Sequence, residues 1–135
     1  MRDDISSLTL LGKTGSSYPS RVDPDILETF PNMFPNRDYQ VVMITDEFTS
    51  LCPVTGQPDY GSIEVRYVPD RVCIESKSLK YYLFSYRQEP TFMETLVNRI
   101  LEDLAGRCSP RRMTVVGRFR ARGGISIDVS ADYTP

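Results

Sequence analysis

Glu47-Phe48-Thr49-Ser50-Leu51-Cys52-Pro53-Val54-Thr55-Gly56-Gln57-Pro58-Asp59 sets a thiol and a carboxylate seven residues apart, in a segment broken by two prolines and a glycine. Proline fixes φ and lacks a donor N–H, and glycine opens conformations that other residues avoid, so the segment reads as a shaped loop rather than a helix or a central strand. On either side lie apolar runs. Residues 38–45 are rich in β-branched and aromatic side chains, and beyond the loop Ile63, Val65 and Tyr67 alternate with Ser62, Glu64 and Arg66. Two such strands pair antiparallel across the loop and hold Cys52 and Asp59 at one end of a sheet. A loop that carries a cysteine and an acid at set positions is the first place to look for chemistry.

Downstream, Pro69-Asp70 ends the second strand and a helix is expected from about residue 76 to 87. Leu79, Tyr82, Leu83 and Tyr86 fall at i, i+3, i+4 and i+7, while Lys77, Lys80, Phe84 and Arg87 share a neighbouring face. A second helix is expected to start at Thr91, because Thr91-Phe92-Met93-Glu94 has the form of a capping box. Its apolar stripe is Met93, Val97, Ile100, Leu101 and Leu104, with Gly106 and Pro110 as the stop. Met113, Val115, Gly117 and Phe119 alternate with polar or exposed partners, Arg122-Gly123-Gly124 turns the chain, and Ile125, Ile127 and Val129 alternate again, which is a hairpin. The order strand, strand, helix, helix, strand, strand predicts an α+β fold, a four-stranded antiparallel sheet with two helices on one face. Its two open edges invite side-by-side association.

Upstream, residues 1–36 read as an N-terminal arm ahead of one domain over 37–135. Leu8, Leu10 and Leu11 offer a small apolar patch, then Gly12, Gly15, Ser16, Ser17, Pro19, Pro24, Pro31 and Pro35 break the chain. Only residues 25–30 have the makings of a helical turn, and the arm is expected to dock loosely. The 135 residues suit a single domain, and a formal charge of -2 gives no basic excess for nucleic acid. No apolar run approaches the ~20 residues of a membrane span, and the acids Asp3 and Asp4 at the start are unlike a signal peptide, so a cytoplasmic protein is expected. The three cysteines, Cys52, Cys73 and Cys108, are read as reduced thiols. There is no histidine, which removes the usual general base and the commonest zinc ligand, and no metal site is expected.

Taken in order, Glu47 to Pro53, Gly56-Gln57-Pro58-Asp59, Glu75-Ser76-Lys77-Ser78-Leu79-Lys80-Tyr81-Tyr82, Phe92-Met93-Glu94 and Arg122-Gly123-Gly124 resemble the 7-cyano-7-deazaguanine reductases of the short QueF type. The resemblance covers nearly the whole chain, and the Glu-Ser-Lys-x-x-Lys-Tyr run separates these nitrile reductases from the related GTP cyclohydrolase I enzymes. It implies the tunnelling fold, whose subunits join sheet to sheet into rings that stack face to face, a homo-oligomer with a pocket between neighbours. It also implies a reaction: two NADPH reduce the nitrile of a free deazapurine base, 7-cyano-7-deazaguanine, to an aminomethyl group on the path to the tRNA base queuosine. The substrate so implied is a small molecule, and no direct nucleic-acid or membrane partner is expected.

Carried onto this chain, the resemblance makes Cys52 the nucleophile that adds to the nitrile as a thioimide, and Asp59 the acid that supplies the proton. Ile74, Glu75, Ser76, Met93 and Glu94 take substrate-binding positions, and Lys77, Lys80, Arg122 and Gly123 take positions for NADPH. Each has a plainer reading: Cys52 as a small core residue, Asp59 as a turn former, Glu94 as a helix cap, the lysines as a solvated face, Arg122 to Gly124 as a tight hairpin. Members of the family commonly have histidine where Met93 stands, and methionine packs but does not titrate. Two further functions are weighed beside the reductase: an amidine-forming transferase of the archaeosine type acting on the same nitrile, and a non-catalytic ring protein that binds the deazapurine.

Overall fold

Residues 38–68 form the expected pair of strands, and a break in their alternation sets where the loop begins. The computed structural model describes residues 2–4, 6, 7, 9 and 18–135, so the apolar patch of Leu8, Leu10 and Leu11 and the breaks at Gly12, Gly15, Ser16 and Ser17 lie outside the described residues. Strand β2 (Val41–Leu51) pairs antiparallel with β3 (Pro58–Val68), and the register shifts between Thr45 and Phe48. Asp46 and Glu47 together face the single residue Ser62, which is a β-bulge. Before the bulge the inward side chains are Val41, Met43 and Thr45; after it they are Phe48 and Ser50. The period-two pattern is interrupted there, so Glu47 to Leu51, expected as loop, continue the strand. The loop proper is only Cys52 to Gln57.

Strands β5 (Arg112–Arg122) and β6 (Ile125–Tyr133) complete an antiparallel sheet in the order β2-β3-β5-β6. Gly123 and Gly124 turn the hairpin with φ of +57° and +79°, the left-handed pair that a two-residue connection needs. Helix α1 (Ser76–Phe84) continues into a 3₁₀ turn at Ser85–Gln88, and α2 spans Met93–Cys108. The stripes of both helices close on one face of the sheet, where Leu79, Tyr82, Tyr86, Val97, Ile100 and Leu104 pack with Ile63, Val65, Tyr67, Met113 and Val115. This is the expected two-layer arrangement. The buried Tyr82 hydroxyl donates to Asp103 at 2.5 Å and shares a 2.9 Å bond with Tyr86, so neither phenol is left unpaired in the core.

Three boundaries differ from expectation. The capping box does not form: Phe92 occupies the N-cap without a side-chain bond, while the Thr91 hydroxyl turns to the Phe92 carbonyl. Gly106 lies inside α2, which ends at Cys108 with Ser109 in the left-handed conformation, φ +44°. The chain from Val22 onward is not loose. Leu27 is fully buried in the core, and β1 (Thr29–Pro31) pairs with β4 (Val72–Ile74). The Glu75 amide bonds the Glu28 carbonyl at 2.9 Å, and Arg107 bonds the Leu27 carbonyl at 2.7 Å. In place of the helical turn over 25–30 there is a 3₁₀ turn at Pro24–Ile26, capped by Asp23. Among the described residues no helix is long and apolar enough to cross a membrane.

Two glycines separate backbone need from accident. A Cβ on Gly61 would sit 2.4 Å from the Arg118 carbonyl oxygen of the neighbouring strand, whereas one on Gly106 meets nothing within 4 Å. Backbone in a sheet cannot step aside as a side-chain tip can. Gly61→Ala is therefore expected to destabilise by about 3 kcal/mol, and Gly106→Ala, in an exposed helical position, to stabilise by about 1 kcal/mol. Urea midpoints of the two variants would move in opposite directions.

Candidate active site

The loop after β2 folds on itself: the Cys52 amide bonds the Gln57 carbonyl at 2.8 Å, and the Gly56 amide bonds the Cys52 carbonyl at 2.9 Å, with Gly56 at φ +70°. The turn brings the Thr55 hydroxyl, then the amides of Thr55 and Val54, onto the Cys52 sulfur. These donors hold the thiol below its ordinary range, and burial and the Asp59 charge oppose them. Cys52 is half-buried and free, and Asp59 is 6% exposed on the core-facing side of β3. By contrast Cys108, fully enclosed, has its thiol pushed up to about 12 by burial. A cysteine tuned toward thiolate, open to solvent and beside a carboxyl, has what nucleophilic addition requires.

Thr55 belongs to no motif of its own, and the turn of the loop is what gives it a place beside the thiol. Its role has a direct check. Thr55→Val is expected to shift the pH midpoint of iodoacetamide labelling at Cys52 upward, because the largest of the thiolate-favouring contacts is removed. An unchanged midpoint would leave the amides to do this alone.

Arg122 lies beside the acid. The β3–β5 register carries the end of β5 to the start of β3, so the Arg122 guanidinium bonds the Pro58 carbonyl and sets Nε 2.7 Å from Asp59 Oδ1. The pair attracts by charge, yet no N–H points at Oδ1, which is left without a directed hydrogen bond. Rather than standing free for a phosphate, Arg122 is engaged by the acid. The positive φ of Gly123 is accounted for by the hairpin, and a Cβ there would meet nothing within 4 Å.

The segment ahead of α2 is clamped to the end of β2. Leu51 donates to the Glu89 carbonyl and accepts from the Thr91 amide, both at 3.1 Å, with Pro90 bridged in parallel to Leu51. Glu94 is thereby held in the first turn of α2, exposed, with no cap to serve and no side-chain hydrogen bond or ion pair among the described residues. Met93 packs half-buried against the core. Glu75 is the residue that caps: its carboxylate accepts from the amides of Lys77 at 2.6 Å and Ser78 at 2.7 Å, and these bonds hold it below the usual carboxylate range. Ile74 is buried, with its amide on the Tyr67 hydroxyl at 2.9 Å.

Ser76 and Lys80 line a cavity of about 600 Å³ between α1 and β2, with Phe48, Leu79 and Phe84 among its walls and Glu47 and Arg87 beside them. Neither Cys52, Asp59 nor Glu94 lines it. One chain thus assembles Cys52, Asp59 and Arg122, holds Glu94 near the end of β2, and leaves the α1 residues in a separate cleft. Lys77 and Lys80 are exposed one turn apart, and neither forms an ion pair among the described residues.

The sequence profile of a family described as QueF-like protein matches residues 58–135. Among curated proteins, the NADPH-dependent 7-cyano-7-deazaguanine reductase of Syntrophus aciditrophicus (strain SB) is 53% identical over 131 residues, 97% of this chain and 89% of that one. The enzyme of the same name from Bacillus subtilis (strain 168) is 49% identical, over 96% of this chain and 79% of its own length. Among solved structures, an archaeosine synthase QueF-Like in the apo form superposes with a TM-score of 0.65 at 24% identity, over 69% of this chain and 91% of that chain. That likeness concerns the fold, and it agrees with the tunnelling arrangement.

Proposed function

The chain belongs to the family of NADPH-dependent 7-cyano-7-deazaguanine reductases, and from that premise we propose that it reduces the nitrile of the free base to an aminomethyl group through a Cys52 thioimide, in the making of queuosine. The observation that carries this reading is the half-buried Cys52, held toward thiolate by its own loop beside the buried Asp59.

The Asp59 carboxylate takes the Cys52 thiol proton, Cys52 Sγ adds to the nitrile carbon and Asp59 delivers that proton to the nitrogen, giving the thioimide, which accepts hydride more readily than the nitrile does. Reduction at carbon and protonation at nitrogen yield a tetrahedral adduct. That adduct expels the Cys52 thiolate and leaves an imine, which a second reduction and protonation convert to the amine. NADPH supplies both hydrides when bound. Lys77 and Lys80, two cations one turn apart without carboxylate partners among the described residues, suit its phosphates. Arg122 suits them only if it leaves Asp59. The exposed Glu94 carboxylate suits the adjacent N–H donors of the guanine-like edge, and Ser76 and the capped Glu75 a second edge.

We also infer that a neighbouring copy completes the site. Both edge strands expose apolar side chains, Val42 at 45% and Ile44 at 65% on β2 and Ile125 at 69% on β6. Pairing β2 of one copy with β6 of the next extends the sheet into a ring and encloses the α1 cleft. Residues 37–135 then act as the ring-forming reductase domain. Cytoplasmic placement suits three free thiols.

The test mixes the protein with the nitrile base and follows NADPH absorbance and intact mass. Oxidation of two NADPH per base, with a Cys52 adduct when NADPH is withheld, supports the reductase. Adduct without oxidation points to the amidine-forming transferase, and neither to a binding protein.

A further inference from the structure

Two residues before Cys52, Ser50 is fully buried on the core-facing side of β2, and its hydroxyl has no hydrogen-bond partner. Directly across the β2–β3 ladder stands Asp59, whose Oδ1 likewise receives no directed hydrogen bond. Opposed residues project from the same face of a sheet with Cβ atoms about 4.5–5.5 Å apart. The unpaired hydroxyl and the unpaired carboxyl oxygen therefore stand on one face of neighbouring strands. An enclosed hydroxyl without a partner is costly, and alanine would spare that cost. Position 50 therefore holds a group that the fold does not use.

We infer that Ser50 is a positioning residue for Asp59, whose carboxyl it hydrogen-bonds during turnover and holds toward the nitrogen of the bound nitrile. The inference rests on the reading of Asp59 as the proton donor. As the S–C bond forms, the carboxyl O–H bond breaks, the proton passes to nitrogen, and the electron pair stays behind on Asp59 as carboxylate. Solvent returns a proton before the later steps. An acid that alternates between these two forms needs a partner suited to both. Arg122 has only donors and serves the carboxylate alone, while a serine hydroxyl both donates and accepts. Burial strengthens that bond by excluding water.

The experiment measures the rate of adduct formation without NADPH, by mass spectrometry of quenched samples, for wild type, Ser50→Ala, Asp59→Asn and the double variant, together with the melting temperature of each. Ser50→Ala is expected to slow adduct formation about tenfold to hundredfold. Its melting temperature is expected to hold or to rise by about 2–4 °C, and in the Asp59→Asn background the substitution is expected to have no further effect. A role in packing alone would lower the melting temperature and slow Asp59→Asn again by the same factor. Wild-type rate in Ser50→Ala, a lowered melting temperature, or an effect that carries over into Asp59→Asn overturns the inference. Wild-type rate in Asp59→Asn instead overturns the reading of Asp59 beneath it.

Discussion

Cys52→Ala is expected to abolish the adduct with the nitrile base and to cut NADPH oxidation by roughly 10⁴-fold or more, with the fold retained. Sulfur is the atom that bonds carbon in the proposed route, and neither Cys73 nor Cys108 can replace it, since both are buried. The loop does not depend on the thiol. Its turn is held by the backbone amide and carbonyl of residue 52, bonded to Gln57 and Gly56, and alanine keeps both. The side chain is half-buried, so its loss costs about 1 kcal/mol or less. Intact mass after incubation with the base, paired with a thermal melt, separates lost chemistry from lost structure. An adduct on the alanine variant would remove Cys52 from the mechanism.

Asp59→Asn is expected to slow adduct formation by about 10²–10⁴-fold while leaving stability near that of the parent. The amide is close to the carboxyl in shape but has no acidic proton to give. Its structural cost is small because the substitution withdraws a charge from a site only 6% exposed. The cation it abandons, Arg122, has a side chain 40% exposed and can turn to water. Single-turnover mixing, with the plateau and rate read separately, checks this: the plateau is reached, late. A rate within about twofold of the parent would assign the proton to another group.

Periodicity made much of the fold legible. Leu79, Tyr82, Leu83 and Tyr86 share one helical face, and Ile63, Val65 and Tyr67 one strand face, because burial selects apolar side chains at the repeat of each element. Where the repeat is interrupted, periodicity no longer marks the element. The bulge at Asp46 and Glu47 moves Phe48 and Ser50 inward out of phase, so a strand end passes for loop. The capping box at Thr91 to Glu94 is a local pattern that lost to a longer-range demand: the Thr91 amide is bound to Leu51, which holds the entry to α2 one step further on. Likewise Leu27, isolated among prolines and acids, shows no periodicity, yet it is buried among residues far along the chain.

Cys52 and Asp59 were marked by the order of residues along one short loop, since a turn of six residues between paired strands must bring its two ends together. The β-strand and helix order and the core stripes followed in the same way from contacts that are local or periodic. The partners of that site were not so marked. Arg122 reaches Asp59 only through the β3–β5 register, and Ser50 faces it only through the β2–β3 register beyond the bulge. Which side chains meet across a ladder depends on strand alignment, and a single-residue slip reverses the faces, so these neighbours belong to the tertiary structure alone.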